Sequence, residues 1–182
     1  MEPSERESYR AAIHGDREAF EMIIRAQSRP LFAIAYGVLQ NREEAEDAVQ
    51  DAFIKAWKSR WRVRDPEKFP AWLSAIVRYH ARDISRRSRG RIAEDPVVHT
   101  HDRTTGTAEI TDDTDRDAAV HSALADLPEL HRSALMLRYF EDLDYRTIEN
   151  MLGLTNGALR GILGRALASL RKRLRPALAS LD

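Results

Sequence analysis

Hydrophobic residues recur every three or four positions over most of this 182-residue chain, which is the spacing of one face of an α-helix. Between about residues 16 and 88 the pattern predicts four helices. The second, RPLFAIAYGVLQ, is apolar on nearly all sides, as a central helix would be, and Pro30 suits its first turn. The fourth, FPAWLSAIVRYHARDISRR, follows a loop that contains a helix-breaking Asp-Pro pair. Its core face is predicted to contain Phe69, Leu73, Ile76, Val77 and Ile84.

The third helix, NREEAEDAVQDAFIKAW, has an apolar stripe on one side and carboxylates along the other. Asn41 is placed to cap its start. Asp47 and Asp51 are four residues apart on the outward face, where like charges disfavour the isolated helix by about 0.2–0.5 kcal/mol. A solvated acidic face and a docking surface for a basic partner both explain this pattern.

The second half of the chain begins with a segment that has no sustained period. From about residue 90 to 114 it is rich in threonine and aspartate, so we predict an extended linker. Periodicity then returns, and DYRTIENML, GLT and NGALRGILGRAL have the short turn and apolar spacing of a helix-turn-helix. Its hinge core is predicted to contain Ile148, Met151, Leu154, Leu159, Ile162 and Leu163. A plain helical hairpin fits the spacing equally well, and the basic tail that follows favours DNA binding.

Charge is segregated along the chain, although the net charge is zero. Residues 58–91 contain eleven basic and three acidic residues, and residues 92–117 contain two basic and eight acidic residues. From residue 155 onward there are six basic residues and one acidic residue. Two basic modules therefore flank an acidic bridge. The net charge of zero does not exclude a nucleic-acid partner, because the basic residues are clustered.

Several function classes lack their signatures in this sequence. There is no cysteine, which excludes disulfides and thiolate metal sites and favours a reducing cytoplasm. The first residues lack the order of a signal peptide, and no apolar run is long enough to span a bilayer. No P-loop, HExxH or Gly-x-Ser-x-Gly motif is present, and His99 and His101 are interpreted as bystanders. We therefore expect a cytoplasmic non-enzyme with no catalytic residues, cofactor, metal site or membrane insertion.

Three segments, in this order, resemble a known family. AEDAVQDAFIKAW, FPAWLSAIVRYHARDISRR and LADLPELHRSALMLRYFEDLDYRTIENMLGLTNGALRGILGRALASLRKRL are similar to regions two and four of the extracytoplasmic-function (ECF, group 4) sigma factors of the bacterial sigma-70 family. The resemblance implies an all-α fold of two small helical domains, a region 2 four-helix bundle and a region 4 helix-turn-helix. The implied boundaries are 1–90 for region 2, 91–117 for an acidic flexible linker and 118–182 for region 4.

The resemblance gives the acidic helix a partner. In such proteins this helix docks on the clamp helices of the largest subunit of core RNA polymerase, so the implied contacts are Glu46, Asp47, Gln50, Asp51 and Ile54. Charge pairing of this kind sets register and association rate as much as affinity. The self-repulsion of the carboxylates would be relieved in the bound state.

Opening a promoter requires capture of unstacked bases, for which arginines interleaved with aromatic residues are suited. The resemblance places minus-ten recognition and melting in the loop SRWRVRDPEK and the helix after it. The implied contacts are Arg60, Trp61, Arg62, Arg64, Arg78, Tyr79, His80, Arg82, Arg86 and Arg87. Core or loop packing is the alternative for Trp61 and Trp72.

The recognition helix for the minus-thirty-five element would begin at a Thr155 cap. Its implied contacts are Thr155, Asn156, Gly157, Arg160 and Arg165. The family's usual GTVKSRL is GALRGIL here, so Gly161 replaces a hydroxyl, and Ile162 replaces an arginine that contacts phosphate. Glu149 stands where the family favours a small residue. We therefore predict weak or unusual minus-thirty-five recognition.

Further partners follow from the same resemblance. The acidic linker would thread the active-site cleft and RNA exit path of the polymerase, with a plain tether as the alternative. RYFEDL would meet the flap of the second-largest subunit, although Leu135, Leu137 and Phe140 are also candidates for the core. An anti-sigma factor or another regulator is expected as well. The competing functions are a sigma-like decoy that titrates an anti-sigma factor, and a helix-turn-helix regulator, for which a stable dimer is expected.

Overall fold

The computed structural model describes residues 3–94 and 113–179, and within them the side chains of residues 4–88 and 119–175. Every regular element in these ranges is helical, which confirms the all-α prediction. The helices are α1 Pro3–Ile13, α2 Arg17–Leu39, α3 Arg42–Ser59, α4 Phe69–Glu94, α5 Asp113–Ala125, α6 Glu129–Leu135, α7 Tyr145–Leu152 and α8 Asn156–Ala179. Most of the predicted linker, with His99 and His101, lies outside the described residues.

The first module consists of α1 to α4. Phe53 on α3 and Leu73 on α4 are buried against the central helix α2, which contributes Leu31 and Ile34. Asn41 caps α3 as predicted, because its side-chain oxygen accepts a hydrogen bond of 3.0 Å from the Glu44 backbone N–H. The predicted apolar stripes therefore do face one shared core.

Helix α1 was not among the predicted helices, and it is held by Tyr9. The Tyr9 ring stacks on Phe69 with centroids 5.2 Å apart, and its hydroxyl accepts a hydrogen bond of 3.1 Å from Gln27 Nε2. Burial raises the pKa of Tyr9 to about 12. The aromatic side chain thus anchors α1 to α2 and to the start of α4.

The predicted helix boundary at Pro30 is wrong, because α2 continues through this residue. Proline removes one backbone hydrogen bond from a helix interior. Here Pro30 itself is buried, and so are Phe20 before it and Ile34 after it. Both halves of α2 thus lie in the same core, and their burial outweighs the lost hydrogen bond.

The second module contains α5 to α8, and its last two helices form the predicted helix-turn-helix. Asp144 caps α7 by accepting from the Thr147 backbone N–H at 3.0 Å. Gly153 ends the helix in the left-handed region at φ 68°, where glycine is favoured. The hinge core is confirmed, since Ile148, Met151, Leu159, Ile162 and Leu163 are buried and Leu154 packs against them.

The two modules share one continuous hydrophobic core. Helices α2 and α4 of the first module lie against α6 and α7 of the second. The approach is close at Gly37, where an added Cβ would lie 3.2 Å from Ser133 Cα and closer still to the hydroxyl oxygen. Only a residue without a side chain lets α2 and α6 meet at this distance.

Across the described ranges, no helix is both long enough and apolar enough to cross a membrane.

Candidate nucleic-acid interface

The acidic side of α3 is exposed to solvent. The residues predicted to contact core polymerase all lie on this face: Glu46, Asp47, Gln50, Asp51 and Ile54. Ile54 is an exposed large hydrophobic residue, with 53% of its surface accessible. The opposite side of the helix buries Ala45, Ala48 and Ala52. The structure therefore brings the five predicted residues together on one free surface.

An open groove of about 540 Å³ runs beside this face, between α2 and α3. Its apolar walls include Phe32, Val49 and Phe53, and Glu46 and Gln50 lie on its rim. An apolar floor with a charged rim is the usual composition of a surface that binds a protein partner. The groove thus extends the acidic face towards α2.

His80, a predicted promoter contact on α4, is held between two residues of α3. Its Nε2 lies 3.0 Å from Asp51 Oδ2, and its Nδ1 lies 2.8 Å from Lys55 Nζ. Because a lysine only donates, Nδ1 accepts and Nε2 carries the proton that Asp51 accepts. Only 14% of the His80 side chain is exposed. The position of His80 therefore connects the acidic face to the arginine-bearing helix.

The loop between α3 and α4 presents one aromatic side chain to solvent. Trp61 is 69% exposed, and the Arg62 guanidinium carbon lies 5.7 Å from its ring centroid. Val63 is buried and anchors the loop. Trp72 instead packs on Phe69, with ring centroids 5.3 Å apart. The structure thus separates a solvent-facing tryptophan from a packed one.

Arg60 differs from the other cations of this loop. Its guanidinium lies 3.9 Å from the centroid of the Trp57 ring, and Nη1 donates to the Trp57 carbonyl at 2.5 Å. Arg62 and Arg64 are exposed. The structure therefore places Arg60 against the body of the module, and the other two predicted arginines at its surface.

On α4 the predicted arginines have different surroundings. Arg86 and Arg87 pair with Asp83 of the same helix, at 3.4 Å and 2.7 Å. Arg78 and Arg82 contact the second module instead. Tyr79, between them in sequence, is 71% exposed. An exposed aromatic residue among arginines is the composition that suits single-stranded bases.

Two predicted promoter contacts of α4 are occupied by the second module. Arg78 Nη1 donates to the Leu152 carbonyl at the end of α7, at 3.2 Å. Arg82 Nε donates to both carboxylate oxygens of Glu129, at 3.1 Å each. Burial lowers the pKa of Arg78, with Arg82 as a further cause. In this arrangement the two guanidinium groups are used for contacts within the protein.

Arg132 of α6 holds the modules together. It is only 5% exposed, and its Nε donates to the Gly37 carbonyl on α2 at 2.7 Å. Its Nη1 donates to the carbonyls of Leu124 and Ala125 at 3.1 Å and 2.7 Å. Burial lowers the pKa of Arg132 as well. The sequence pattern predicted no role for this residue, because an arginine in a helix is most often at the surface.

The predicted cap of the recognition helix α8 is confirmed. Thr155 Oγ1 accepts from the Ala158 backbone N–H at 3.3 Å. Asn156, Arg160 and Arg165 are exposed along the first three turns. A Cβ added at Gly157 would meet no atom within 4 Å, so this position is open space. The structure thus places the predicted minus-thirty-five residues near the start of α8, on its exposed face.

The hydrophobic residues at the end of α6 and just after it divide into a buried and an exposed group. Leu135 and Leu137 are buried, whereas Tyr139 and Phe140 are 57% and 60% exposed. The helix widens into a π turn over Met136–Phe140. This turn presents two neighbouring aromatic residues at the surface.

These features define a class of protein: a helical DNA-binding protein with a helix-turn-helix, an arginine-rich helix and an exposed acidic face. The chain matches the family Sigma-70 region 2 over residues 23–92 and the family Sigma-70, region 4 over residues 123–172. It belongs to the ECF RNA polymerase sigma factors of the sigma-70 family.

Similar proteins carry the same description. The ECF RNA polymerase sigma factor SigE of Mycolicibacterium smegmatis is 30% identical over 183 residues, which is 96% of this chain and 70% of that protein. The probable RNA polymerase sigma factor RfaY of Xanthomonas campestris is 30% identical over 168 residues, covering 90% of this chain. The chain spans only 42% of that relative's length.

A solved structure supports the fold along almost the whole chain. It is described as CnrH in complex with the cytosolic domain of CnrY, and it is 25% identical to this chain with a TM-score of 0.63. The similarity covers 98% of each chain.

Proposed function

We propose that this sigma factor binds core RNA polymerase through α3 and directs transcription initiation at specific promoters through α4, the preceding loop and α8. One observation carries the proposal: the exposed acidic face of α3 and the exposed Trp61–Arg62 pair follow each other in a chain that also contains a helix-turn-helix. A non-enzymatic initiation factor that acts in the cytoplasm needs these three surfaces and no catalytic group.

Docking is assigned to the acidic face together with the α2–α3 groove. Asp47 makes no hydrogen bond or ion pair with any residue that the structure describes, and Asp51 makes one to His80. Ile54 supplies exposed apolar area near the carboxylates. A basic, amphipathic helical partner fits this combination, as the clamp helices of the largest subunit would.

Minus-ten recognition is assigned to the loop and to α4. Trp61 is the residue best placed to stack on an unpaired base, and Arg62 and Arg64 lie beside it for the phosphates. Tyr79 extends the aromatic surface along α4. Arg60 packs on Trp57 and His80 packs on α3. Both residues would therefore stabilise this surface from the protein side.

Promoter binding through Arg78 and Arg82 requires a change in the arrangement of the modules. Arg78 and Arg82 are bonded to Leu152 and Glu129 of the second module. A phosphate cannot take these donors until those hydrogen bonds break. We therefore expect the two modules to separate when the protein binds core polymerase and DNA.

Further contacts complete the proposal. Thr155, Asn156, Gly157, Arg160 and Arg165 form the minus-thirty-five surface on α8. Tyr139 and Phe140 are the candidates for the flap of the second-largest subunit, since they are exposed while Leu135 and Leu137 are buried. An anti-sigma factor is a further proposed partner, supported by the similarity to the CnrH complex with the cytosolic domain of CnrY.

In vitro transcription with bacterial core polymerase and a fragmented genomic library tests the proposal. The wild-type protein should produce RNA starts that share an upstream motif. Replacing both Asp47 and Asp51 with lysine should abolish these starts and core binding, because the docking surface changes sign. Glu18→Lys, a charge reversal at an exposed residue of α2, is the matched control and should leave the starts in place.

Three results would each contradict the proposal or one of its parts. Absence of core binding by the wild-type protein would overturn it. Core binding without new starts would favour the decoy function instead, which the occupied Arg78 and Arg82 keep as a second candidate. Starts that survive the double lysine variant would exclude the acidic face as the docking site.

A further inference from the structure

Four side chains around the helix-turn-helix form a connected chain. Asn156 Nδ2 donates to Glu149 Oε1 at 2.5 Å, and Arg160 Nε donates to Asn156 Oδ1 at 2.8 Å. The guanidinium carbon of Arg160 also lies 5.3 Å from the centroid of the Tyr145 ring. Residues of α7, Tyr145 and Glu149, thereby fix the position of an arginine on the recognition helix.

The chemistry of the two end residues sets the orientation of the asparagine. An ionised glutamate only accepts hydrogen bonds, and an arginine only donates them. The Asn156 amide must therefore turn its nitrogen to Glu149 and its oxygen to Arg160. With a small apolar residue at 149, the amide would have one partner instead of two and would be free to rotate.

The backbone of the same turn holds Glu149 in place. The N–H groups of Gly153 and Leu154 both donate to the Glu149 carbonyl. Its side chain then reaches across the turn to α8. Glu149 therefore closes the turn with both its carbonyl and its carboxylate, which gives a physical role to a residue that departs from the family pattern.

The remaining donors of Arg160 are available. Its side chain is exposed, and Nη1 and Nη2 make no hydrogen bond or ion pair with the residues that the structure describes. With Nε bound to Asn156, these two nitrogens form a fork of parallel donors. In the major groove only guanine presents two acceptors, O6 and N7, that match such a fork.

We propose that Glu149 and Tyr145 are positioning residues that hold Arg160, Glu149 through Asn156 and Tyr145 through its ring, so that the two terminal nitrogens of Arg160 read one guanine of the minus-thirty-five element. The inference rests on the proposed function, since it assumes that α8 enters the major groove of promoter DNA. It assigns sequence discrimination on this helix to a single pre-oriented arginine.

Arg165 provides an internal comparison. It is exposed on the same helix and makes no hydrogen bond or ion pair with the described residues. No neighbour fixes its guanidinium, whose Nη1 lies 3.1 Å from the position of a Cβ added at Gly161. An exposed cation without a fixed orientation suits a phosphate, which carries no sequence information.

The experiment uses holoenzyme assembled from core polymerase and the full-length chain. Its templates keep the downstream part of a promoter mapped with the wild-type protein and carry a randomised minus-thirty-five element. Sequencing of the transcripts against the templates gives the base preference at each position. The variants are Arg160→Ala, Glu149→Ala, Glu149→Gln, Tyr145→Leu and Arg165→Ala.

Wild-type holoenzyme should prefer guanine at one position by roughly 5- to 150-fold. Arg160→Ala should remove this preference. Glu149→Ala and Tyr145→Leu should each reduce it at the same position, Glu149→Ala by about 2- to 12-fold, the range for one net hydrogen bond. Glu149→Gln should keep it, because the amide oxygen still accepts from Asn156. Arg165→Ala should lower transcription from all templates and leave the preferences unchanged.

A double variant separates positioning from folding. In the Arg160→Ala background, Glu149→Ala should cause no further loss of preference, since the residue that it positions is gone. The inference is overturned if Glu149→Ala leaves the guanine preference intact, or if it shifts preferences at several positions together. Failure of the proposed function would look different, because wild-type holoenzyme would then yield no starts on any template.

Discussion

Helices α4 and α8 both carry arginines predicted to bind promoter DNA, but in the described parts of the chain only α4 has such arginines bonded to the other module. Arg78 and Arg82 on α4 donate to Leu152 and Glu129. Among the described residues, Arg160 on α8 hydrogen-bonds only to Asn156 of its own helix and lies against the Tyr145 ring of the same module. The predicted promoter contacts of α8 are therefore accessible as they stand, whereas Arg78 and Arg82 of α4 must give up contacts within the protein before they can bind DNA.

The difference between α4 and α8 depends on the interface that keeps α4 against the second module. Besides the shared hydrophobic core, three elements support this interface: the buried Arg132, the close approach at Gly37, and the surface ion pairs around them. Variants that weaken each of these elements should free α4 to different extents and leave α8 unchanged.

The largest effect is expected from Arg132→Ala. The substitution leaves the carbonyls of Gly37, Leu124 and Ala125 without their donor and empties a buried volume. Hydrogen bonds to charged groups contribute about 1.5–3 kcal/mol, so we expect the free energy of unfolding to fall by about 3 kcal/mol. Urea denaturation followed by circular dichroism measures this change.

Arg25→Ala is the control for the loss of an arginine side chain. The Arg25 side chain is 82% exposed, and within the described residues its only ion pair is a 4.0 Å contact with Glu21, so the expected change is under about 0.5 kcal/mol. Equal effects of the two substitutions would show that Arg132 does not hold the modules together.

Two glycines in helices offer a matched pair of the same substitution. Gly37→Ala forces a Cβ against Ser133, and overpacking of this kind costs about 1–3 kcal/mol. Gly164→Ala adds a Cβ where no atom lies within 4 Å, and alanine is favoured over glycine in a helix by about 1 kcal/mol. Thermal melting should therefore shift down for Gly37→Ala and up for Gly164→Ala. Two shifts of the same sign would exclude the close approach of α2 and α6.

The individual helices, and much of the docking surface, could be predicted from local patterns. The stripe of α3, the Asn41 cap and the hinge residues Ile148 and Met151 follow from spacing, because a helix repeats every 3.6 residues wherever it lies. The exposed acidic face follows from the same stripe.

The contacts between modules could not be predicted in this way. A periodic pattern identifies the apolar face of each helix but not which faces meet, so Gly37 and Arg132 gave no signal of their partners. The continuation of α2 through Pro30 could not be predicted for the same reason, because it depends on the burial of residues on both sides of the proline. The bridge between Glu149 and Arg160 depends on side-chain directions across a turn, which sequence spacing does not give.

A smaller effect is expected from pH, through the helix whose end holds Arg78. Hydrogen bonds from the backbone and side chain of Thr147 lower the pKa of Asp144, the cap of α7. The folded state therefore favours the ionised carboxylate. The contribution of this carboxylate to stability is complete above its ordinary pKa of about 4. It is lost as the pH falls through the lower pKa of the folded state.

Asp144→Asn tests this dependence. Asparagine keeps a cap oxygen but cannot titrate, so the variant should lose less stability than the wild type between about pH 4 and pH 2. Asp144→Ala should cost about 1 kcal/mol at neutral pH. Denaturation curves at several pH values measure both effects. An identical pH dependence in wild type and Asp144→Asn would show that this cap is not the titrating group.

The smallest effect on stability, and the most direct test of the comparison, comes from the ion pair between Arg82 and Glu129. The Arg82 side chain is 55% exposed, so Glu129→Gln should cost the folded protein under about 1 kcal/mol. The substitution releases a predicted promoter arginine from the second module. Binding of a forked promoter fragment by the free protein should then strengthen by about 1.4- to 5-fold, which is that same energy gained by the complex.

Glu141→Gln is the matched control for this experiment. Glu141 also forms an ion pair between the modules, at 3.1 Å from Arg29, but Arg29 lies on α2 and is not a predicted promoter contact. Fluorescence anisotropy with the same fragment should show tighter binding for Glu129→Gln alone. If both variants bind more tightly, general loosening of the interface controls access to α4. If neither variant binds more tightly, the contacts of Arg82 within the protein do not compete with DNA. The arginines of α4 would then be as accessible to DNA as those of α8.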